Sequence, residues 1–194
     1  MYPSTEGTYR VLPGRIDDEW LLLEVDSADP TYVPKPDERD GPNPGVDEDL
    51  EAGNRIEATL VWEDDEPRLE EVTVVERTRF RFRRTDEPIF EAATSCFEAA
   101  RAEGAAMNSR VTYGTDTEPN GVVYCFAKQS GEQDLFAEFR DGIKPLEPLV
   151  ARATESIEPP LSVWILEPRE PFVVVYIVFD PDGVLEETMV GTYS

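Results

Sequence analysis

Apolar and polar positions alternate most regularly between Gly53 and Arg84, and that alternation predicts strand, turn, strand, strand. Ile56, Ala58, Leu60 and Trp62 fall on one side of the first strand, with Glu57, Thr59, Val61 and Glu63 on the other, the period-two signature of a half-buried antiparallel strand. Asp64 to Pro67 supplies a turn, and Arg68 to Val75 reads as the next strand. In the last strand Thr78, Phe80 and Phe82 alternate with Arg77, Arg79, Arg81 and Arg83, so one face packs while the other presents a column of guanidinium groups.

Two shorter strands precede this region, Thr8 to Leu12 and Trp20 to Val25, separated by Pro13-Gly14 and the acidic run Asp17-Asp18-Glu19. The stretch Asp26 to Ala52 carries Pro30, Pro34, Pro36, Pro42 and Pro44, which exclude a helix interior or a central strand. Its acidic composition buries little apolar surface, so it is expected to be a long mobile loop anchored at Tyr32 and Val33. The five strands up to Arg84 resemble a small β-barrel of the OB or SH3-like type, without the helix that many OB folds insert before their fourth strand. Residues 1–84, with the loop over 26–52, are therefore expected to form a first domain.

The texture changes at Thr85-Asp86-Glu87-Pro88, which combines a capping residue, first-turn acids and an early proline and predicts a helix start. Ile89, Ala93, Phe97 and Ala100 then recur at helical spacing, with Cys96 beside them and Gly104 as the stop. Arg110 to Tyr113 and Val122 to Lys128 read as a hairpin around Pro119-Asn120-Gly121. Helices are expected from a Ser130 cap to Asp141 and from Leu146 to Ile157, with Pro159-Pro160 ending the second. Strands Leu161 to Leu166 and Phe172 to Phe179 follow, the latter apolar on both faces and so central in a covered sheet. Beyond the Asp180-Pro181-Asp182-Gly183 turn, Val184 to Val190 is expected to complete a hairpin. Residues 85–194 are thus read as an antiparallel sheet with helices on one face, and the whole chain as α+β.

Composition changes the picture in one respect. The 194 residues hold 42 acids against 18 bases, a formal net charge of -24, and no histidine. Acids spread through the whole chain, with few lysines, resemble the cytosolic proteins of halophilic archaea, among them their uncharacterised hypothetical proteins. The resemblance implies a soluble, cytoplasmic protein. Mimicry of nucleic acid would need acids unbroken by cations, and Arg55, Arg68, Arg110, Arg140 and Arg152 interrupt them. No apolar run approaches the roughly 20 residues of a membrane span. Without histidine, Ser-His-Asp and Cys-His catalysis are excluded, and the phosphate and dinucleotide loops G-x-x-x-x-G-K and G-x-G-x-x-G are absent. Cys96 and Cys125 lack paired metal-ligand spacing, and Asp180 with Asp182 falls short of the oxygens calcium requires, so no metal or other cofactor is expected.

What remains is the arginine column. Arg79, Arg81, Arg83 and Arg84, with Trp62 as the aromatic, make a candidate surface for single-stranded nucleic acid on a barrel face. Two other readings compete. Cross-strand pairing with Glu57, Glu63, Glu70, Glu71 and Glu76 would make the column structural, and contact with the acidic helices or the loop over 37–51 would make it an internal clamp. The expected function is a non-enzymatic accessory protein binding nucleic acid. A protein-interaction or regulatory module is the alternative, and an enzyme without histidine chemistry in the second part is a further one.

Overall fold

The computed structural model describes residues 1–36, 49–129, 131 and 134–194. Five strands form a first sheet: β1 (Ser4–Pro13), β2 (Glu19–Glu24), β3 (Pro30–Pro34), β4 (Arg55–Glu63) and β5 (Glu66–Glu76), in the order β3-β2-β1-β4-β5 and antiparallel throughout. The alternation along β4 holds, because Ile56, Ala58 and Leu60 are buried on the concave face with Tyr9, Val11, Leu22, Val33, Leu69 and Val72. The sheet curls until β3 and β5 approach each other, and among the described residues no ladder joins them. The described residues thus form a curled antiparallel sheet, and the expected closed barrel is not found among them.

β3 lies inside the stretch expected to be loop. Its prolines sit at the two ends of an edge strand, where a missing N–H costs no ladder bond, and Tyr32 and Val33 pair with Leu21 and Trp20 between them. The remainder of that expected loop, residues 37–48, falls outside the described residues.

The arginine strand, β6 (Arg79–Arg84), is not the barrel's fifth strand. It runs parallel to β9 (Ser162–Glu167), pairing Arg79 with Ser162 through to Arg84 with Glu167. A second five-stranded sheet results, in the order β6-β9-β10-β8-β7, with β7 (Met107–Tyr113), β8 (Pro119–Ala127) and β10 (Phe172–Val178) antiparallel to their neighbours. β10 is central and buried at every position, as its continuous apolar run requires.

Helices cover this sheet on both faces rather than one. On one side, α1 (Glu91–Ala102) and α4 (Val184–Tyr193) lay Ala93, Cys96, Met189 and Tyr193 against Trp164, Val174 and Tyr176. On the other, α2 (Leu135–Arg140) and α3 (Glu147–Thr154) bring Phe136, Phe139 and Val150 onto Val163, Ile165, Val173 and Val175. Leu12, Leu21 and Leu23 from the first sheet enter the same core, which explains why Tyr9–Leu12 and Leu21–Leu23 are buried on consecutive positions. Each such fully buried side chain contributes about 1.5–3 kcal/mol, so this shared layer binds the first sheet to the second.

Three local expectations are corrected. α1 starts at Glu91 rather than near Thr85, because the Thr85 N–H is held by the Glu167 carbonyl as a continuation of β6 and its hydroxyl accepts from Glu87 N–H. The cap expected at Ser130 lies outside the described residues, and α2 is capped by Asp134, whose carboxylate accepts from Ala137 N–H at 3.1 Å. The last element is a helix, not a strand: Glu186, Met189 and Tyr193 recur at helical spacing and all are buried.

Cys96 and Cys125 come from separate elements, α1 and β8, yet meet in the core as free thiols, with Cys125 Sγ donating to the Ala93 carbonyl at 3.2 Å. Burial raises the proton affinity of both thiols, most strongly that of Cys125. Iodoacetamide at mildly alkaline pH is therefore expected to leave both unmodified in the folded protein and to alkylate both after denaturation, read by intact mass. Labelling of either thiol in the folded protein would contradict this placement.

Candidate binding strand

β6 is an edge strand, and its alternation sorts the arginines onto two faces. Arg79, Arg81 and Arg83 point toward α4, while Phe80, Phe82 and Arg84 point toward α2 and the shared core. Arg81 stacks over the Trp164 ring at 4.8 Å from its centroid and lies 3.7 Å from the Glu186 carboxylate, with Ser194 Oγ accepting at 3.4 Å. Burial lowers its proton affinity, and the attraction of Glu186 offsets that only in part.

Glu186 itself is 3% exposed on α4, accepting from Ser162 Oγ at 2.8 Å and from Trp164 Nε1 at 2.9 Å. Arg81 is thus committed to the fold. Arg79 and Arg83 are not: both are half-buried, Arg83 donates to the Phe82 carbonyl at 3.0 Å, and neither forms an ion pair with a carboxylate among the described residues.

Arg84 stands apart from this row. It pairs with Glu167 and with Asp134 at 2.6 Å, and its guanidinium lies over the Phe136 ring at 4.5 Å. Partial burial works to raise the Asp134 carboxyl, but Arg84 and the Ala137 N–H hold it below the usual carboxylate range. Trp62 is farther removed still, at the end of β4 in the first sheet, where its indole N–H donates to Thr5 Oγ1 at 3.1 Å. The five residues singled out from the sequence therefore resolve into a row of three, one cation on the opposite face, and one aromatic on another sheet.

The expected cross-strand partners are also absent from β6. Glu57, Glu63, Glu70, Glu71 and Glu76 all lie on β4 and β5 of the first sheet, where Glu63 faces Arg68 at 4.0 Å and Glu76 faces Arg10 at 3.0 Å. Contact with acids of the helical layer does occur, through Arg81 with Glu186 and Arg84 with Asp134.

A buried ionic centre was missed. Arg10, 2% exposed, donates to both oxygens of Glu147 at 2.9 and 2.8 Å, to Glu76 at 3.0 Å and to the Gly53 carbonyl at 2.9 Å, and lies over the Phe80 ring. Burial works against its charge, but the two carboxylates outweigh it and raise its proton affinity. Thr78 Oγ1 donates to Glu76 at 2.6 Å and accepts from Leu161 N–H, while Asn54 Nδ2 donates to the Thr78 carbonyl. The centre ties β1, β5, β6 and α3 together. A lone cation between Tyr9 and Val11 in an apolar run was its only signal in the sequence.

A furrow crosses β1, β4 and β5 on the convex side of the first sheet, lined by Glu6, Glu57 and Glu71 with Thr8, Thr59 and Thr73. Its acids disfavour an anionic ligand there.

Residues 1–194 match a single family throughout their length. The chain belongs to DUF6663, a family of unknown function. No curated protein and no solved structure matches it. Family membership thus spans both sheets as one unit of sequence, β6 and the Arg10 centre included.

Proposed function

We propose that this chain is a non-enzymatic accessory protein that receives an acidic, extended segment of a protein partner along β6. One observation carries the reading: Arg79 and Arg83 hold no carboxylate among the described residues of a chain that has 42 acids for 18 bases. With so many carboxylates available, two guanidinium groups left open on an edge strand favour an anion from outside. The backbone adds to this. Arg79 and Thr85 donate to Leu161 and Glu167, so the amides of Phe80, Phe82 and Arg84 turn away from β9. The Ala52 carbonyl takes that of Phe80, and those of Phe82 and Arg84 are placed to meet an added strand.

Single-stranded nucleic acid is the second reading, favoured by the same row of guanidinium groups. It lacks the stacking surface such ligands use, because Trp164 and Phe80 are buried and Trp62 is on the other sheet. The acid-rich composition supports a high-salt cytoplasm as the setting for either.

A poly-glutamate peptide and a single-stranded oligonucleotide of equal charge, titrated at low and at molar salt, separate the two. The peptide is expected to bind more tightly, and Arg79→Glu with Arg83→Glu to abolish binding while the circular dichroism spectrum stays native. Tighter binding of the oligonucleotide would move the assignment to nucleic acid. Binding of neither, wherever the protein is folded, would remove the β6 reading.

A further inference from the structure

The other edge of the same sheet has a different character. Protein sheets blunt their free edges with prolines, charges or a covering segment, because an open edge templates pairing with another chain. Three of the four edges here are blunted in this way. β3 is five residues long with Pro30 and Pro34 at its ends, β5 presents Glu66, Glu70, Glu71 and Glu76, and β6 has guanidinium groups and the Ala52 carbonyl on Phe80. β7 has neither a proline nor an acid, and Arg110 is its one charge.

The outward groups of β7 can be assigned. The Ala127 N–H donates to the Ala106 carbonyl, and the register places Met107 opposite Phe126, so even-numbered residues exchange hydrogen bonds with β8. The N–H and C=O groups of Met107, Ser109, Val111 and Tyr113 therefore point away from the sheet. The same residues expose apolar side chains on one face: Met107 is 46% exposed, Val111 43% and Tyr113 62%. Asn108 and Thr112, by contrast, turn toward the α1 face and bond to the Cys96 carbonyl and the Tyr176 hydroxyl.

Charge selects the occupant. Between Gly104 and Gly131 the acids are Asp116 and Glu118, both in the β7–β8 turn. Two copies of a chain with net charge -24 repel wherever their acids meet, and this hairpin edge is where they do not. An acidic or basic partner would find stronger complementarity elsewhere on the surface, whereas a second copy presents the matching hydrogen-bonding edge and the matching apolar stripe.

We infer that β7 pairs with β7 of a second copy, antiparallel about a two-fold axis, joining two five-stranded sheets into one of ten strands. A two-fold at Arg110 would set two guanidinium groups directly opposite each other. An axis at Ser109 instead sets Met107 opposite Val111 twice and Arg110 opposite Asn108. β6 and β7 are opposite edges of the sheet, so this pairing stands or falls independently of the β6 reading.

Sedimentation equilibrium across a concentration series in high salt tests it. The native chain is expected at twice its 21.9 kDa mass. Val111→Pro removes an outward N–H without removing a bond to β8, and Val111→Lys sets a charge opposite the partner's Met107; both are expected to sediment as monomers with native circular dichroism. A native chain that stays monomeric at its highest attainable concentration overturns the inference, as does a folded Val111→Pro variant that dimerises like the native chain. Should both variants unfold, amide exchange on the native protein decides: the Ser109, Val111 and Tyr113 amides are expected to lose protection on dilution, and protection independent of concentration overturns the pairing.

Discussion

Replacing Arg10 with alanine is expected to cost about 3–5 kcal/mol, the range for breaking a buried ion pair by removing one partner. The loss exceeds that of a surface pair because Glu147 and Glu76 remain in place at the joint between β1, β5 and α3 without their shared cation. The Gly53 carbonyl also loses its donor, next to a backbone so close to Phe80 that a side chain at Gly53 would collide with its amide nitrogen. Because the centre spans both sheets, the whole chain should unfold at lower denaturant in one transition, with tryptophan fluorescence and far-ultraviolet circular dichroism coincident. Arg10→Met combined with Glu76→Gln and Glu147→Gln should recover much of the loss, since a neutral set leaves no orphaned charge. A single Arg10→Ala change within about 1 kcal/mol of the native protein, the scale of an exposed pair, would show that the centre is wet.

Salt should have the other large effect. With a formal charge of -24, carboxylate repulsion acts over about 10 Å at 0.1 M salt but only about 3 Å at 1 M. Moving from molar salt to tens of millimolar is therefore expected to lower the melting temperature steeply and to depopulate the folded state. The buried pairs of Arg10 are shielded from solvent and change little, so screening of the exposed acids dominates the sign. Substituting a neutral osmolyte of equal osmolality for the salt should not restore the native melting temperature. A melting temperature that is flat across the salt series would show that the acids are spaced widely enough to be tolerated in dilute buffer.

Periodicity exposed what is local and hid what is not. β4 was legible because Ile56, Ala58 and Leu60 meet a one-sided core, and β10 because both of its faces are covered. For β6 the alternation gave the faces correctly, including the separation of Arg79, Arg81 and Arg83 from Phe80 and Phe82. It could not give the partner, which is a parallel strand from the far end of the chain. Trp62 was grouped with the arginines on the premise of a shared barrel, but β4 and β6 belong to different sheets. Arg84 was also separable in principle, because it has the parity of Phe82.

α4 misled for a different reason. Val184, Thr188, Val190 and Thr192 are β-branched and suggest a strand, but the Thr188 and Thr192 hydroxyls donate to carbonyls four residues back, at 3.0 and 2.9 Å, and sit comfortably on a helix. Packing of Met189 and Tyr193 then decides the conformation. Arg10 and Glu186 escaped notice because a charge that is going to be buried looks the same in sequence as one that will be solvated.

The parallel pair of β6 with β9 has a consequence during synthesis. Its partners are 83 residues apart, as Arg84 and Glu167 illustrate, and a ribosome adding about 5–20 residues per second needs roughly 4–17 s to cover that distance. Throughout that interval the nascent chain already displays the RFRFRR segment with no strand beside it, and Leu12, Leu21 and Leu23 with no second layer above them. A newly made chain is thus expected to be at its most adhesive before β9 emerges, with the charge of its arginines the one local feature opposing association of that strand.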